Sequence, residues 1–186
     1  ALLSVSQGDT DKVAAYITDC QRMAIDVLPP DINHSVWDFA AEDRSDAPSA
    51  IRFGLGAVKN VGRGAIEAII SGRGQASGQQ PFDNLGDFAH RVDLRHVGKR
   101  PLESLVKAGA LDSFGDRHAL LAAVDQIVAT SAAHFAAKEA GQLTMFAAGS
   151  GLEQPITLMA AGHGDEEFAR RERLNWEREV IGLYVS

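Results

Sequence analysis

Gly54-Leu55-Gly56-Ala57-Val58-Lys59-Asn60-Val61-Gly62-Arg63-Gly64-Ala65-Ile66-Glu67-Ala68-Ile69-Ile70 decides the reading of this chain. It reads as two helices joined by a tight glycine turn. Ile66, Ile69 and Ile70 fall at i, i+3 and i+4 and form one apolar stripe. Leu55 and Val58 give the shorter helix before it a stripe of its own. Between the two, Val61-Gly62-Arg63-Gly64 supplies two residues that lack a Cβ and tolerate positive φ. A helix starting at Gly64 presents unpaired N–H groups and the positive end of its dipole. The glycines let a phosphate approach those groups, and Lys59 and Arg63 add full charges beside them. The plainer alternative is a glycine turn that holds no ligand. Two flanking stripes with two basic residues favour contact with a nucleic-acid backbone.

The arrangement resembles the helix-hairpin-helix motif. That resemblance implies sequence-independent contact with a DNA backbone through Lys59, Asn60, Val61, Gly62, Arg63, Gly64 and Ala65. A degenerate second copy follows. Asn84–Val92 reads as a short helix, Asp93–Arg100 as a basic turn, and Pro101 as the first position of a new helix carrying Leu102, Leu105 and Val106. Val97-Gly98 stands where Val61-Gly62 stood, so Arg95, Lys99 and Arg100 join the candidate contacts. A paired motif of this kind is able to straddle a duplex and touch both backbones.

Charge supports a local contact. The 186 residues carry a net −7, yet Ile51 to Lys107 holds nine basic and five acidic residues, a net +4 that leaves −11 in the flanks. The basic centre suits phosphate and the flanks do not. No run of about 18 apolar residues suggests a membrane span. Asp9, Asp11 and Asp19 are wrong for a signal peptide. The opening Ala1-Leu2-Leu3, without Met, reads as a piece of a longer protein. Cys20 is the only cysteine; it fits a helix core position better than a reactive thiol, and a reducing cytoplasm suits it. His118 and His134 have no partner at metal-ligand spacing.

The remaining segments frame the centre. Asp9 caps a helix running to about Met23, and Ile25–Asn33 turns extended around Pro29-Pro30. Val36–Phe39 and Ala50–Phe53 read as the strands of a β-hairpin with Glu42–Ser49 as its loop, Trp37 and Phe39 facing one side. Ser71–Gln80 reads as a flexible loop. Asp116 caps a long helix to about Ala140, and Gly141–Gly164 is a linker with one apolar knot at Leu143–Phe146. Asp165–Arg178 is a charged helix whose Glu/Arg run reads as a solvated face; Leu183–Val185 is an incipient strand.

Several of these stretches together resemble the bacterial replicative DNA polymerase III alpha-subunit family. They are Lys12-Val13-Ala14 to Tyr16-Ile17, Val27-Leu28-Pro29-Pro30-Asp31-Ile32-Asn33, Arg52–Gly62, Lys99–Gly115 and Glu177–Ser186, in order over nearly the whole chain. The resemblance implies a mainly α fold: a tandem helix-hairpin-helix domain with a small β-hairpin and a C-terminal linker and helix. It divides the chain into the end of a fingers region (1–35), the hairpin and tandem DNA-binding region (36–115), a long helix (116–140), a linker (141–164) and a charged helix leading to an OB domain (165–186). It implies a grip on duplex DNA behind the active site of a DNA-directed DNA polymerase, a nucleotidyltransferase of replication in the cytoplasm. Its partners would be duplex DNA, the rest of the polymerase chain and other replisome subunits, with no membrane. Gln142, Leu143, Met145 and Phe146 resemble the peptide by which these polymerases hold the sliding clamp; a linker patch folding back on its own chain is the alternative. The family's catalytic aspartates and magnesium belong to a palm N-terminal to these residues, so no catalytic residue, metal or cofactor is expected here.

Two rivals stand beside it. One is a helix-hairpin-helix DNA glycosylase, whose catalytic Asp motif Val92-Asp93-Leu94-Arg95-His96-Val97 faintly matches, although Gly64 falls where bifunctional members carry lysine. The other is a structural or protein-docking module.

Overall fold

Asp9 accepts a hydrogen bond from the Lys12 amide and starts a helix over Thr10–Arg22, as its sequence predicts. The computed structural model describes residues 2–6, 8–44, 47–74, 80–141, 156, 158 and 166–184, and 59% of these described residues are helical, 3-10 turns included. The helices are α1 (Leu2–Val5), α2 (Thr10–Arg22), α3 (Arg63–Gly72), α4 (Leu85–Arg91), α5 (Leu94–Val97), α6 (Lys99–Lys107), α7 (Arg117–Glu139) and α8 (Glu166–Val180). Single 3-10 turns cover Leu55–Ala57 and Asp112–Phe114.

The three strands are β1 (Val27–Leu28), β2 (Ala40–Arg44) and β3 (Ala47–Arg52). The order is β1-β3-β2, with β1 parallel and β2 antiparallel to β3. The hairpin therefore exists, but its first strand begins after Phe39, and the two strands together consume most of the expected loop. Val36–Phe39 is otherwise engaged. Leu55 donates its amide to the Val36 carbonyl at 2.9 Å, and Gly56 donates to Trp37 at 3.0 Å. A Cβ at Gly54 would lie 2.5 Å from the Asp38 carbonyl carbon, so glycine is what permits this approach. The extended piece at Ile25–Asn33 supplies the third strand, β1.

Ile66 and Ile69 of α3, Leu102 and Leu105 of α6, and Leu120 and Ile127 of α7 are fully buried in one core. Cys20 is buried there too. Helix α7 has the length and hydropathy of a membrane span, contrary to the expectation from apolar runs. Leu120, Val124 and Ile127 are buried where it packs against α4, α5 and α6, and 33% of that apolar window is buried. Of Ser71–Gln80, Ser71 and Gly72 belong to α3, and Arg73 is buried rather than in a loop; 75–79 lie outside the described residues. Leu183 and Tyr184 form no strand.

The C-terminal helix corrects another expectation. Its acidic residues are not merely solvated. Glu177 is fully buried and bonds Arg117 Nη1 at 2.8 Å, while Glu172 meets His118 Nε2 and Glu179 meets Lys107. Arg117, itself buried, also binds Asp112 at 2.8 Å through both Nε and Nη2. Burial alone lowers the affinity of its guanidinium for the proton; the two carboxylates more than offset this. Removing one partner of a buried pair strands the other charge. Arg117→Ala is therefore expected to lose about 3–5 kcal/mol of stability, measured as a fall in the urea unfolding midpoint at unchanged m-value.

Candidate nucleic-acid interface

The helix N-termini whose caps are described divide into two kinds. Those of α2, α4, α5 and α7 are closed by the side chains of Asp9, Asn84, Asp93 and Asp116. Those of α3 and α6 begin after Gly62 and Gly98 and receive no side-chain cap. The first amides of a helix have no carbonyl a turn earlier to receive them. At α3, the 62–64 amides make no hydrogen bond among the described residues, the first helical bonds being those from Ala65 and Ile66 to the Gly62 carbonyl. The space beside Gly62 and Gly64 is open, with nothing within 4 Å of a Cβ built at either. The first hairpin thus ends in an exposed group of donors at the positive end of a helix; at the second, the Gly98 amide bonds the Leu94 carbonyl and Pro101 has none, which leaves the amides of Lys99 and Arg100.

The turn itself differs from its sequence reading. Helix α3 starts at Arg63 rather than Gly64, and neither glycine uses positive φ: Gly62 is extended at φ −80° and Gly64 is helical. The left-handed residue is Asn60, at φ 66°. Asparagine tolerates that region better than most residues. In the second hairpin the left-handed residue is Gly98, at φ 84°. The helix entering that turn is the four-residue α5, not α4, and Pro101 sits third in α6, where no amide is required for the helical ladder.

The two hairpins are joined. Asn60 Nδ2 donates to Ser104 Oγ of α6 at 3.3 Å. Arg100 lies one turn earlier on the same face of α6 as Ser104. Lys59 gives its amide to the Val180 carbonyl at 2.8 Å, so the end of α8 closes the back of the first turn. Val61 and Ala65 are buried and shape the turn from within.

Most of the basic centre is already neutralised. Arg52 forms a two-bond pair with Glu42, whose carboxyl it holds below the usual range. Arg91 pairs with Asp87, and Lys107 with Glu179. Arg95 is held by Asp93 and Glu139, and Lys99 by Asp125 at 2.7 Å, so two of the three second-hairpin candidates are committed internally. Arg73 is buried, bonds only the Ser35 carbonyl, and has its proton affinity lowered by burial. Among the described residues, Lys59 and Arg100 are exposed and make no ion pair. Arg63 is exposed too, with only a 3.8 Å approach to Glu67 and a place over the Trp37 ring. Among the described residues, the exposed cations of the centre that lack a close ion pair are those beside the two uncapped N-termini. Sequence gives charge but not its pairing, which is why Arg95 and Lys99 looked equivalent to Arg100.

Asp93 caps α5 and binds Arg95, which keeps its carboxyl below the ordinary value. That occupation leaves it unlike the general base of a glycosylase. Among the described residues no group of three His, Cys, Asp or Glu side chains is arranged for a metal. His118 stands against Glu172 and Trp176, and His134 stacks on His90. Gln142, Leu143, Met145 and Phe146 lie outside the described residues.

A family profile described as the helix-hairpin-helix motif matches residues 24–120. The chain is also similar, along all of its length, to proteins named DNA polymerase III subunit alpha: 44% identical to that of Thermus aquaticus, 38% to that of Vibrio cholerae and 37% to that of Mycobacterium leprae. It spans 14–15% of the length of these relatives.

Asn60 offers a clean check on the turn. Asn60→Ala, which is less at ease in the left-handed region and also loses the Ser104 bond, is expected to lose about 1–2 kcal/mol, whereas Asn60→Gly keeps the backbone and loses only that bond. Thermal unfolding of both variants should rank Ala below Gly.

Proposed function

The chain belongs to the helix-hairpin-helix family, and from that premise we propose that it grips the backbone of duplex DNA, without reading sequence, as part of a bacterial replicative polymerase. The observation that carries this reading is the coincidence of uncapped helix N-termini with Lys59 and Arg100, which make no ion pair among the described residues, and with Arg63, whose one pair, to Glu67, is 3.8 Å long. Amides at 62–64 suit phosphate oxygens, and the three side chains add charge around them. The backbone repeats at every base pair, so such contacts fix position and carry no sequence information. In this role the chain acts in the cytoplasm on DNA held by the rest of the polymerase, whose nucleotidyl transfer and magnesium belong to other residues of that larger protein.

We also infer a sliding-clamp contact by Gln142, Leu143, Met145 and Phe146. Two apolar anchors in a polar stretch suit a groove on a partner, and the segment is followed by Ile156 and Leu158, which pack against the core. Leu143→Ala with Phe146→Ala should abolish retention of the polymerase by its clamp in a pull-down, with duplex affinity unchanged.

The DNA reading has a quantitative test. Each side chain that neutralises one phosphate adds about 1 to the magnitude of the log–log salt slope. Lys59→Ala and Arg100→Ala should each lower the slope by about 1, equally on unrelated duplexes. Arg95→Ala, which removes a cation already paired twice, should leave it unchanged. Fluorescence titration of labelled duplex across salt decides; an Arg95 effect equal to that of Lys59 overturns the assignment.

A further inference from the structure

We propose that Trp37 is a positioning residue for DNA contact, acting through Arg63; this rests on the backbone-gripping role just described. The Arg63 guanidinium carbon lies 4.6 Å from the centroid of the Trp37 ring. Tryptophan offers the strongest face for such a cation. The ring is itself fixed. Its residue's carbonyl accepts the Gly56 amide, and a Cβ at Gly56 would stand 2.8 Å from Trp37 Cε2, so only glycine leaves room for the indole there. Arg63 is the first residue of α3, beside the free amides at 62–64.

Two neighbours compete for this guanidinium. Glu67, one turn down α3, is exposed and 3.8 Å away, a weak solvent-screened pair. The stack on Trp37 is present together with that approach. A long side chain otherwise loses rotamer freedom on binding phosphate. Stacking spends that freedom before DNA arrives, and it leaves the guanidinium edge, with its N–H donors, open to an anion. The stretch Val36–Phe39 thereby gains a role that its sequence, read as a strand, does not suggest.

The test is a double-mutant cycle in the full chain, read as duplex affinity at fixed salt, with Trp37→Met to remove the ring and Trp37→Phe to retain a weaker one. With Arg63 present, Trp37→Met should weaken binding about 2- to 5-fold and Trp37→Phe by less. In an Arg63→Ala background both should have no further effect. Equal losses in the two backgrounds overturn the proposal, because the ring then acts through the fold alone. No loss in either background overturns it as well. Should Trp37→Met unfold, the Trp37→Phe arm of the cycle gives the same decision. Lys59→Ala separates the layers: if it lowers the salt slope while the Trp37 cycle is flat, the positioning role fails and the DNA reading stands. If neither Lys59→Ala nor Arg63→Ala changes affinity or slope, both fall together.

Discussion

The buried guanidinium of Arg117 organises the molecule. It bonds Asp112 in the turn before α7, Glu177 in α8, and the last carbonyl of α6 at Lys107. A charge in the interior is tolerated only when its partners surround it, so these three elements cannot drift apart without exposing it to an apolar environment. Fixing α8 in this way fixes the Val180 carbonyl, which holds the Lys59 amide. The first hairpin is consequently shaped by a segment more than a hundred residues further along the chain.

The two hairpins illustrate how similar loops reach one geometry differently. The first places its left-handed residue at Asn60 and leaves Gly62 extended; the second uses Gly98 for the left-handed position itself. Both deliver an uncapped helix start. Glycine at the first helix boundary therefore serves openness toward solvent, and glycine at the second serves backbone conformation.

Helical stripes and caps were legible because they are local. Asp9, Asp116 and the Ile66–Ile69–Ile70 stripe each report on neighbours within four residues. The hairpin was legible as an element and misplaced by several residues, since Val36–Phe39 alternates like a strand but bonds the Leu55–Ala57 turn. Pairing of charge was not legible at all. Glu177 looks like any other residue of a Glu/Arg run, and its burial depends on Arg117, sixty positions earlier. The candidate interface inherits the same limit: motif spacing finds Lys59 and Arg63, while only the distant partners Glu139 and Asp125 separate Arg95 and Lys99 from Arg100.

That separation has a consequence for how variation in this protein is interpreted. Lys59 and Arg100 support no other side chain through an ion pair among the described residues, and both are exposed. Exposed positions of this kind contribute little to folding free energy. A survey that scores variants by abundance, solubility or melting would therefore rate these positions as dispensable, and would rank Arg117 and Glu177 as critical. Folding by itself places little demand on Lys59 and Arg100, so a requirement for their charge would come from what binds the two turns rather than from the chain.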